Sequence, residues 1–247
     1  MNLLLFAASE LRDSILELAD RRAQHIIRVL KLRPGDRLRL GMLDGPRGTG
    51  TLLDLSATRV RLQVELEKET PPVPDIILVL ALPRPIMLRR ILKQASVLGV
   101  DRIHLINSRR VEKSFFRASI LQPEKIRALL IEGASQAMDT RLPQVIIHPL
   151  FKPFIEDVAS KLRARHRLLA HPGERRGTPV PLANRTGEKT VLAVGPEGGW
   201  IDYERDRFRE LGFLPFSLGP RILHVDTAVI ALISRVQLLL ELGAGKT

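Results

Sequence analysis

Residues 192–200 read LAVGPEGGW. An apolar run ends there in Gly195 and Pro196, and a single acid, Glu197, stands before the pair Gly198–Gly199. An ordinary turn needs one or two residues of this kind, because glycine supplies positive φ and proline fixes the bend. Three glycines, a proline and a carboxylate at the end of one apolar run therefore indicate a backbone shaped to approach a ligand.

Apolar runs and amphipathic segments alternate on both sides of that stretch, over residues 76–247. IILVLAL (76–82) is apolar throughout, as expected of a parallel strand that is buried on both faces. Further predicted strands are 102–107, 145–148, 167–171, 190–195 and 214–219, and predicted helices are 86–98, 122–138, 153–165, 202–211 and 226–241. This alternation predicts an α/β fold with an open sheet, in which ligands bind beyond the carboxyl ends of the strands.

Residues 1–70 show a different pattern, in which charged or small residues alternate with Leu and Val. Three segments share it: RLRLGML (37–43), GTGTLLDL (48–55) and RVRLQVEL (59–66). A period of two predicts short antiparallel strands of a small barrel or sheet. The Pro-rich segment ETPPVPD (69–75) is typical of a linker. The predicted division is a domain at 1–70, a linker at 71–75 and a second domain at 76–247.

Three loops that contain glycine and proline follow predicted strands: AHPGERRG (170–177), VGPEGGW (194–200) and LGPRILHVDTA (218–228). Parallel strands present their carboxyl ends at one edge of a sheet, so we expect these loops to crowd together. A pocket walled by main-chain N–H and C=O groups suits an adenine edge and a ribose. Each loop alone is more typical of a plain strand-to-helix turn. The sequence contains neither of the phosphate-binding patterns GxGxxG and GxxxxGK[ST].

The composition indicates an anionic partner. Lys and Arg number 39 against 27 Asp and Glu, which gives a net charge of +12, and nucleic acid is the commonest partner of so basic a protein. The chain has no cysteine, which excludes disulfides and thiolate chemistry. Its six histidines lack the spacing of a metal site, so we expect no metal. Because no run reaches the ~18 apolar residues of a membrane span, we expect a cytoplasmic protein that contacts no membrane.

The pair VGPEGGW and LGPRILHVDTA resembles the signature of the RsmE family, the SPOUT-class methyltransferases that methylate N3 of a uridine in 16S ribosomal RNA. Three further segments are similar in the expected order: QHIIRVLKLRPGDRL (24–38), LPRPIMLRRILKQASVLGV (82–100) and ASQAMDTRLP (134–143). The resemblance implies a C-terminal SPOUT-type α/β knot, a trefoil-knotted parallel sheet with flanking helices, behind a PUA-like RNA-binding β-barrel. It also implies S-adenosylmethionine (SAM) as cofactor, the small ribosomal subunit as partner, and a homodimer.

When the family's motifs are matched to this sequence, the resemblance implies a set of cofactor-binding residues and a residue that stabilises charge. The SAM pocket would include Leu169, His171, Gly195, Glu197, Gly198, Leu218, Gly219, Arg221, Ile222 and Leu223. Transfer to N3 requires stabilisation of the uracil anion, and the permanently charged fork of Arg221 suits that task. Asp226 is expected to act as the base or as the N-cap of the next helix, and its place before AVIALI favours the cap. Glu197 is expected to accept backbone N–H groups rather than to act as a base.

Basic side chains are expected to bind the RNA. The set is Arg21, Arg22, Arg28, Lys31, Arg33, Arg84, Arg109, Arg110 and Lys113. The arginines of the predicted helix 86–98 are equally well explained as a solvent-exposed face that does not contact RNA. The loop NSRRVEKSFFR (107–117) is a stronger candidate, because arginines interleaved with phenylalanines suit a nucleic-acid clamp.

The chain departs from the family pattern at Val97, Ser135, Asp139 and His224. These departures leave the expected cofactor residues in place, but they leave the RNA target open. Three alternatives follow: a SPOUT methyltransferase with another RNA target, an RNA-binding or ribosome-assembly protein that keeps the pocket without transfer, and an unrelated α/β nucleotide-binding enzyme.

Overall fold

Two structural units make up the chain. The structure, a computed structural model, describes residues 2–172, 182 and 187–244. The first unit comprises Met1–Val73 with Ile131–Leu142, and the second comprises Pro74–Leu130 with Pro143–Thr247. The first boundary falls within the expected linker. Residues 131–142, which the sequence interpretation placed in the second domain by continuity, pack with the first unit instead.

The first unit is built on a six-stranded sheet. Its strands are β1 Leu4–Phe6, β2 Leu11–Arg12, β3 Ile15–Leu18, β4 Arg37–Met42, β5 Arg47–Leu55 and β6 Val60–Leu66. They pair in the order β1–β4–β5–β6–β3–β2, with β1 parallel to β4 and the other pairs antiparallel. The three predicted strands are β4, β5 and β6. The other three have two to four residues each, too few for a period of two to be recognised.

The alternation in the sequence orients this sheet as expected. In β6, Val60, Leu62 and Val64 are buried while Arg61 and Glu65 are exposed, because successive side chains point to opposite faces. The buried side chains join a core of leucine, isoleucine, valine and phenylalanine residues. A short helix, α1 Arg21–His25, begins at Asp20, whose side chain accepts a hydrogen bond from the N–H of Arg22 at 2.8 Å. It continues as a π-helical turn over Ile26–Leu30.

The second unit is a parallel sheet with helices. Its strands are β7 Ile76–Ala81, β8 Arg102–Ile106, β9 Gln144–His148, β10 His166–Ala170, β11 Thr190–Val194 and β12 Leu214–Phe216. The helices are α2 Pro85–Val97, α3 Pro123–Ala137, α4 Phe151–Pro153, α5 Asp202–Glu210 and α6 Val225–Ala244. Only residues 123–130 of α3 belong to this unit, because residues 131–137 belong to the first. The strands pair in the order β12–β10–β11–β7–β8–β9, all in parallel. All six residues of β7 are buried, as its continuous apolar run predicted.

The predicted helix at 153–165 is wrong in both its extent and its type. The chain forms α4, a π-helical turn over Phe154–Val158 and a 3-10 turn over Ala159–Lys161, and it ends there. Arg167 of β10 donates hydrogen bonds to the carbonyl groups of Ala159 at 3.2 Å and Leu162 at 2.7 Å. These carbonyls therefore have a tertiary partner, which local periodicity does not reveal.

Two histidines meet between β8 and β9. Nδ1 of His104 lies 2.9 Å from Nε2 of His148, and the rings stack with Phe154 beside them. Burial, together with the neighbouring His148 and Arg102, lowers the pKa of His104 to about 4. Burial also lowers the pKa of His148. Both rings are therefore neutral near pH 7, and one donates to the other.

The last helix, α6, packs against α2 and β11. Near its carboxyl end Gln237 donates a hydrogen bond to the carbonyl of Leu98, 2.5 Å away, just after α2. Within the described ranges, no helix is both long enough and apolar enough to cross a membrane.

Candidate functional site

A cavity of about 280 Å³ lies at the carboxyl ends of β10, β11 and β12. Its walls are the ends of these strands, the loops that follow them and the first turns of α6. The loops after β11 and β12 therefore meet, as the parallel topology predicted, and His171 and Pro172 after β10 lie beside them. Residues 173–177 of the predicted first loop lie outside the described residues.

Nine of the ten expected cofactor-binding residues line this cavity: His171, Gly195, Glu197, Gly198, Leu218, Gly219, Arg221, Ile222 and Leu223. The tenth, Leu169, is a buried residue of β10, one position before the wall begins at Ala170. Most of the remaining wall is apolar, with side chains such as Val194, Phe216 and Leu232. The cavity thus combines main-chain polar groups with apolar side chains, which is typical of a small-molecule site.

Gly195 makes room for a protein side chain, which the sequence interpretation missed. A Cβ at this position would lie 3.2 Å from Nε1 and Cε2 of Trp200. The indole is 3% exposed and packs against Phe208, with 5.1 Å between the ring centroids. Its Nε1 is buried without a hydrogen-bond partner among the described residues. Trp200 is the only tryptophan in the chain, so the cavity wall contains a unique fluorophore.

Gly198 makes room for Arg110 in the same way. A Cβ here would lie 3.0 Å from Cδ and 3.4 Å from Cβ of Arg110, whose Nη1 donates a hydrogen bond to the Gly198 carbonyl. Arg110 comes from the loop after β8 and lines the cavity. The sequence interpretation placed this residue among the RNA contacts alone, because nothing in the local pattern indicates its packing on Gly198.

Two further polar contacts fix the rim of the cavity. Oε1 of Glu197 accepts a hydrogen bond from the backbone N–H of Arg84 at 3.1 Å, so Glu197 is the structural acceptor that we predicted. Nε2 of His171 lies 3.2 Å from Nη1 of Arg205, which also forms an ion pair with Asp202. Because a guanidinium only donates, this ring nitrogen of His171 is the acceptor.

The loop between β12 and α6 carries Arg221, a cation of the cavity wall. The N–H of Gly219 donates to the hydroxyl of Ser217 at 3.2 Å, and Gly219 has a φ of +112°. This conformation favours glycine and turns the chain sharply before Arg221. Arg221 is exposed, lines the cavity and has no hydrogen-bond or ion-pair partner among the residues that the structure describes.

Asp226 is not the N-cap of α6, and this prediction is wrong. The helix begins at Val225, and the carbonyl of His224 accepts the N–H of Ala228 at 2.8 Å, so the capping position falls on His224. The Asp226 carboxylate instead pairs with Nη1 of Arg90 at 3.2 Å. Arg90 lies on α2, 136 residues earlier, a separation at which sequence spacing carries no signal.

The basic residues expected to bind RNA fall into three groups. Arg21, Arg28, Lys31, Arg33, Arg84, Arg109 and Lys113 are exposed. Arg110 lines the cavity, and Arg22 is held internally by Glu10, Asp20 and the carbonyl of Leu5. Burial lowers the pKa of Arg22, but the hydrogen bonds that it donates to Glu10 and Asp20 outweigh this effect and raise that pKa overall. Arg22 is therefore a structural residue of the first unit.

None of the four departures from the family pattern lines the cavity. Ser135 is buried and donates to the carbonyl of Leu3 at 2.6 Å, and Asp139 accepts the N–H of Thr140 at 2.6 Å. Val97 ends α2, and His224 is exposed before α6. The departures at 135 and 139 thus have local structural roles within the first unit.

Among the described residues no group of three or more His, Asp or Glu side chains is placed to hold a metal ion. The charged side chains of the cavity wall are Arg110, Glu197 and Arg221. Such a wall can hold a ligand with an apolar ring and a polar, charged end, and can stabilise negative charge on a second molecule beside it.

Comparison with known proteins gives consistent matches along the chain. The model of an RNA methyltransferase domain matches residues 69–237, and that of an RNA methyltransferase PUA domain matches residues 18–65. The chain is 32% identical to the ribosomal RNA small subunit methyltransferase E of Treponema pallidum, over 94% of this chain and 88% of that protein. It is 26% identical to the ribosomal RNA small subunit methyltransferase E 1 of Borreliella burgdorferi, over 94% of this chain and 95% of that protein.

Solved structures share the fold. A probable rRNA methyltransferase from Porphyromonas gingivalis superposes with a TM-score of 0.78 at 26% identity, over 97% of this chain and 99% of that chain. A ribosomal RNA small subunit methyltransferase E from Neisseria gonorrhoeae, bound to S-adenosyl methionine, superposes with a TM-score of 0.77 at 23% identity, over 96% and 98%.

Proposed function

We propose a reaction on one premise: the chain belongs to the ribosomal RNA small subunit methyltransferase E family. It is an RNA methyltransferase with a PUA-like N-terminal domain and a parallel-sheet methyltransferase domain. It transfers a methyl group from SAM to N3 of a uridine in the 16S RNA of the small ribosomal subunit. The observation that carries this proposal is the cavity, because nine residues expected from the family signature line it together.

The cavity has the chemistry that SAM requires. Main-chain groups of the loops after β11 and β12 can hydrogen-bond an adenine edge and a ribose, while Val194, Phe216 and Leu232 offer apolar surface to the ring. Nε1 of Trp200, which has no hydrogen-bond partner among the described residues, is buried behind this wall against Gly195. A cavity of about 280 Å³ is near the lower end of ligand pockets and fits the adenosyl part. When bound, SAM supplies a methyl group on a sulfonium that becomes neutral as it leaves.

Arg221 is the residue that stabilises the reacting uracil. Loss of the N3 proton to water leaves a negative charge that is delocalised onto the uracil oxygens, and this anion has to be stabilised. The bond from the methyl carbon to sulfur then breaks as the N3 lone pair forms the new bond. Arg221 is unpaired among the described residues and faces the cavity, so its N–H donors are available for those oxygens.

Asp226 acts as a positioning residue rather than as a base. Its carboxylate is largely buried and engaged by Arg90, which ties the first turn of α6 to α2. This pair holds the adjacent loop 218–223, and with it Arg221, against the cavity.

A trefoil knot accounts for the path of the chain at this site. After β12, an edge strand, the chain returns across the carboxyl ends of β10 and β11 to pack α6 on α2, the helix that follows β7. A knotted return of this kind would place the glycine-rich bends after β11 and β12 around one cofactor, as in the SPOUT class.

The outer face of α6 suits a homodimer. Leu238 and Leu242 are 53% and 60% exposed, one helical turn apart. Large apolar side chains at this spacing form a stripe that a second copy would bury. The mass in solution is the test, because Leu238→Glu should convert a dimer into a monomer.

The partner is the small ribosomal subunit, and the working compartment is the cytoplasm, where ribosomes are assembled. Arg84, Arg109 and Lys113 are exposed on the second unit and available to phosphates. The exposed cations of the first unit serve the same purpose.

The test is methyl transfer with isotope-labelled SAM to small subunits that lack the modification, followed by mass-spectrometric mapping of the nucleotide. Label on N3 of one uridine in 16S RNA is expected. Label on another RNA would indicate a different target, and binding of SAM without transfer would indicate a non-catalytic RNA-binding protein.

A further inference from the structure

We infer that Arg110 is the residue that recognises the α-carboxylate of SAM, an inference that rests on the proposed function. Arg110 would then determine which adenosyl compounds the cavity accepts. It would do so from a loop whose other basic residues, such as Arg109 and Lys113, are exposed and available to RNA.

Arg110 is fixed at the cavity by two kinds of contact. Its aliphatic stem packs on the bare Cα of Gly198, where an added Cβ would lie only 3.0 Å from Cδ of Arg110. Its Nη1 donates to the carbonyl of the same glycine. The glycine pair after Glu197 thus allows the Arg110 guanidinium to lie in the cavity wall. This packing explains why the turn contains more glycine than a simple bend requires.

The remaining donors of Arg110 are available to a ligand. A guanidinium has five N–H donors, and one of them is used by Gly198. The others have no hydrogen-bond or ion-pair partner among the described residues of the chain. They form a planar fork at the cavity wall, and this geometry matches a carboxylate.

The charges of SAM indicate which charged side chain of the wall binds its amino-acid end. SAM carries a sulfonium, an ammonium and one carboxylate, so its amino-acid end has a single anion that needs a cation. Glu197 is committed to the N–H of Arg84, and Arg221 lies on the opposite loop, after β12, where the proposed reaction uses it. Arg110 is the remaining arginine of the wall.

The test pairs a change in the protein with a change in the ligand. The dissociation constants of SAM and of decarboxylated SAM, which lacks only the carboxylate, are measured from the fluorescence of Trp200. The protein variants are Arg110→Gln, Arg110→Lys and, as a matched control from the same loop, Arg109→Gln. Arg109 is exposed and does not line the cavity.

Arg110→Gln is expected to weaken SAM binding by about 10- to 100-fold, the effect of a charge-assisted hydrogen bond. The same variant should bind decarboxylated SAM as tightly as the wild type does. Arg110→Lys should recover part of the loss for SAM, and Arg109→Gln should bind both compounds normally.

Equal weakening of both compounds by Arg110→Gln would overturn the inference, because it would indicate a purely structural role on Gly198. Unchanged binding of both would overturn it as well, and would leave Arg110 as an RNA contact. A wild-type protein that binds neither compound would instead contradict the proposed function itself, so the two failures are distinguishable.

Discussion

Four cations of the first unit give a quantitative prediction for RNA binding. Arg21, Arg28, Lys31 and Arg33 are exposed, and their side chains have no ion-pair partner among the described residues. Each phosphate that such a group neutralises releases counterions, which contributes about −0.7 to −0.9 to the slope of log K against log salt concentration. Replacement of all four with glutamine should therefore make the slope less steep by about 3. Over a tenfold rise in salt, the wild type should lose about 10³-fold more affinity than the variant.

The assay is fluorescence anisotropy of the labelled protein, titrated with small subunits at a series of KCl concentrations. The matched control is Arg22→Gln, which removes one positive charge from the same helix. Because Arg22 is held by Glu10 and Asp20, this control should lower the free energy of unfolding by about 2 kcal/mol and leave the salt slope unchanged. A quadruple variant with the wild-type slope, or a control with a reduced slope, would refute the assignment of these cations to phosphate binding.

Three further outcomes are expected. Burial holds the pKa of His104 at about 4 in the folded protein, below its ordinary 6.5. Between pH 6.5 and pH 4 the unfolded chain therefore binds more protons than the folded one, and the free energy of unfolding falls as the pH drops. Urea unfolding should show a loss of about 2 kcal/mol between pH 7 and pH 5 that His104→Leu lacks, and equal losses in both proteins would contradict this. Arg221→Gln should lower the rate of methyl transfer at least tenfold while the dissociation constant of SAM stays within a factor of about three, and an unchanged rate would remove Arg221 from the mechanism. Asp226→Asn and Arg90→Gln should each lower the rate of methyl transfer, and the double variant should be no worse than the more damaging single one, whereas additive losses would contradict a role as a pair.

The sequence predicted the features that depend on local pattern and on general topology. Runs such as residues 76–82 are apolar throughout because both faces of a parallel strand are buried, so the sheet could be recognised. The meeting of the loops after β11 and β12 followed from the rule that parallel strands end at one edge. The resemblance of two motifs then supplied eight residues of the cavity wall, and His171 of the segment after β10 is the ninth.

The features that the sequence did not reveal depend on contacts between distant residues. Trp200 and Arg110 occupy the space beside Gly195 and Gly198, so these glycines accommodate the protein's own side chains as well as a ligand. Asp226 has the local context of a helix cap, but Arg90 from α2 engages its carboxylate. In each case the partner is fixed by packing in three dimensions, which periodicity and capping rules do not predict.

The central claim is that the bends after β11 and β12 enclose the methyl donor, and hydrogen–deuterium exchange with and without SAM tests it most directly. Addition of SAM should slow exchange in peptides that cover residues 194–200 and 216–225. Peptides from the β4–β5 hairpin of the first unit should be unaffected. Protection confined to other segments, with no change in those two, would contradict the claim.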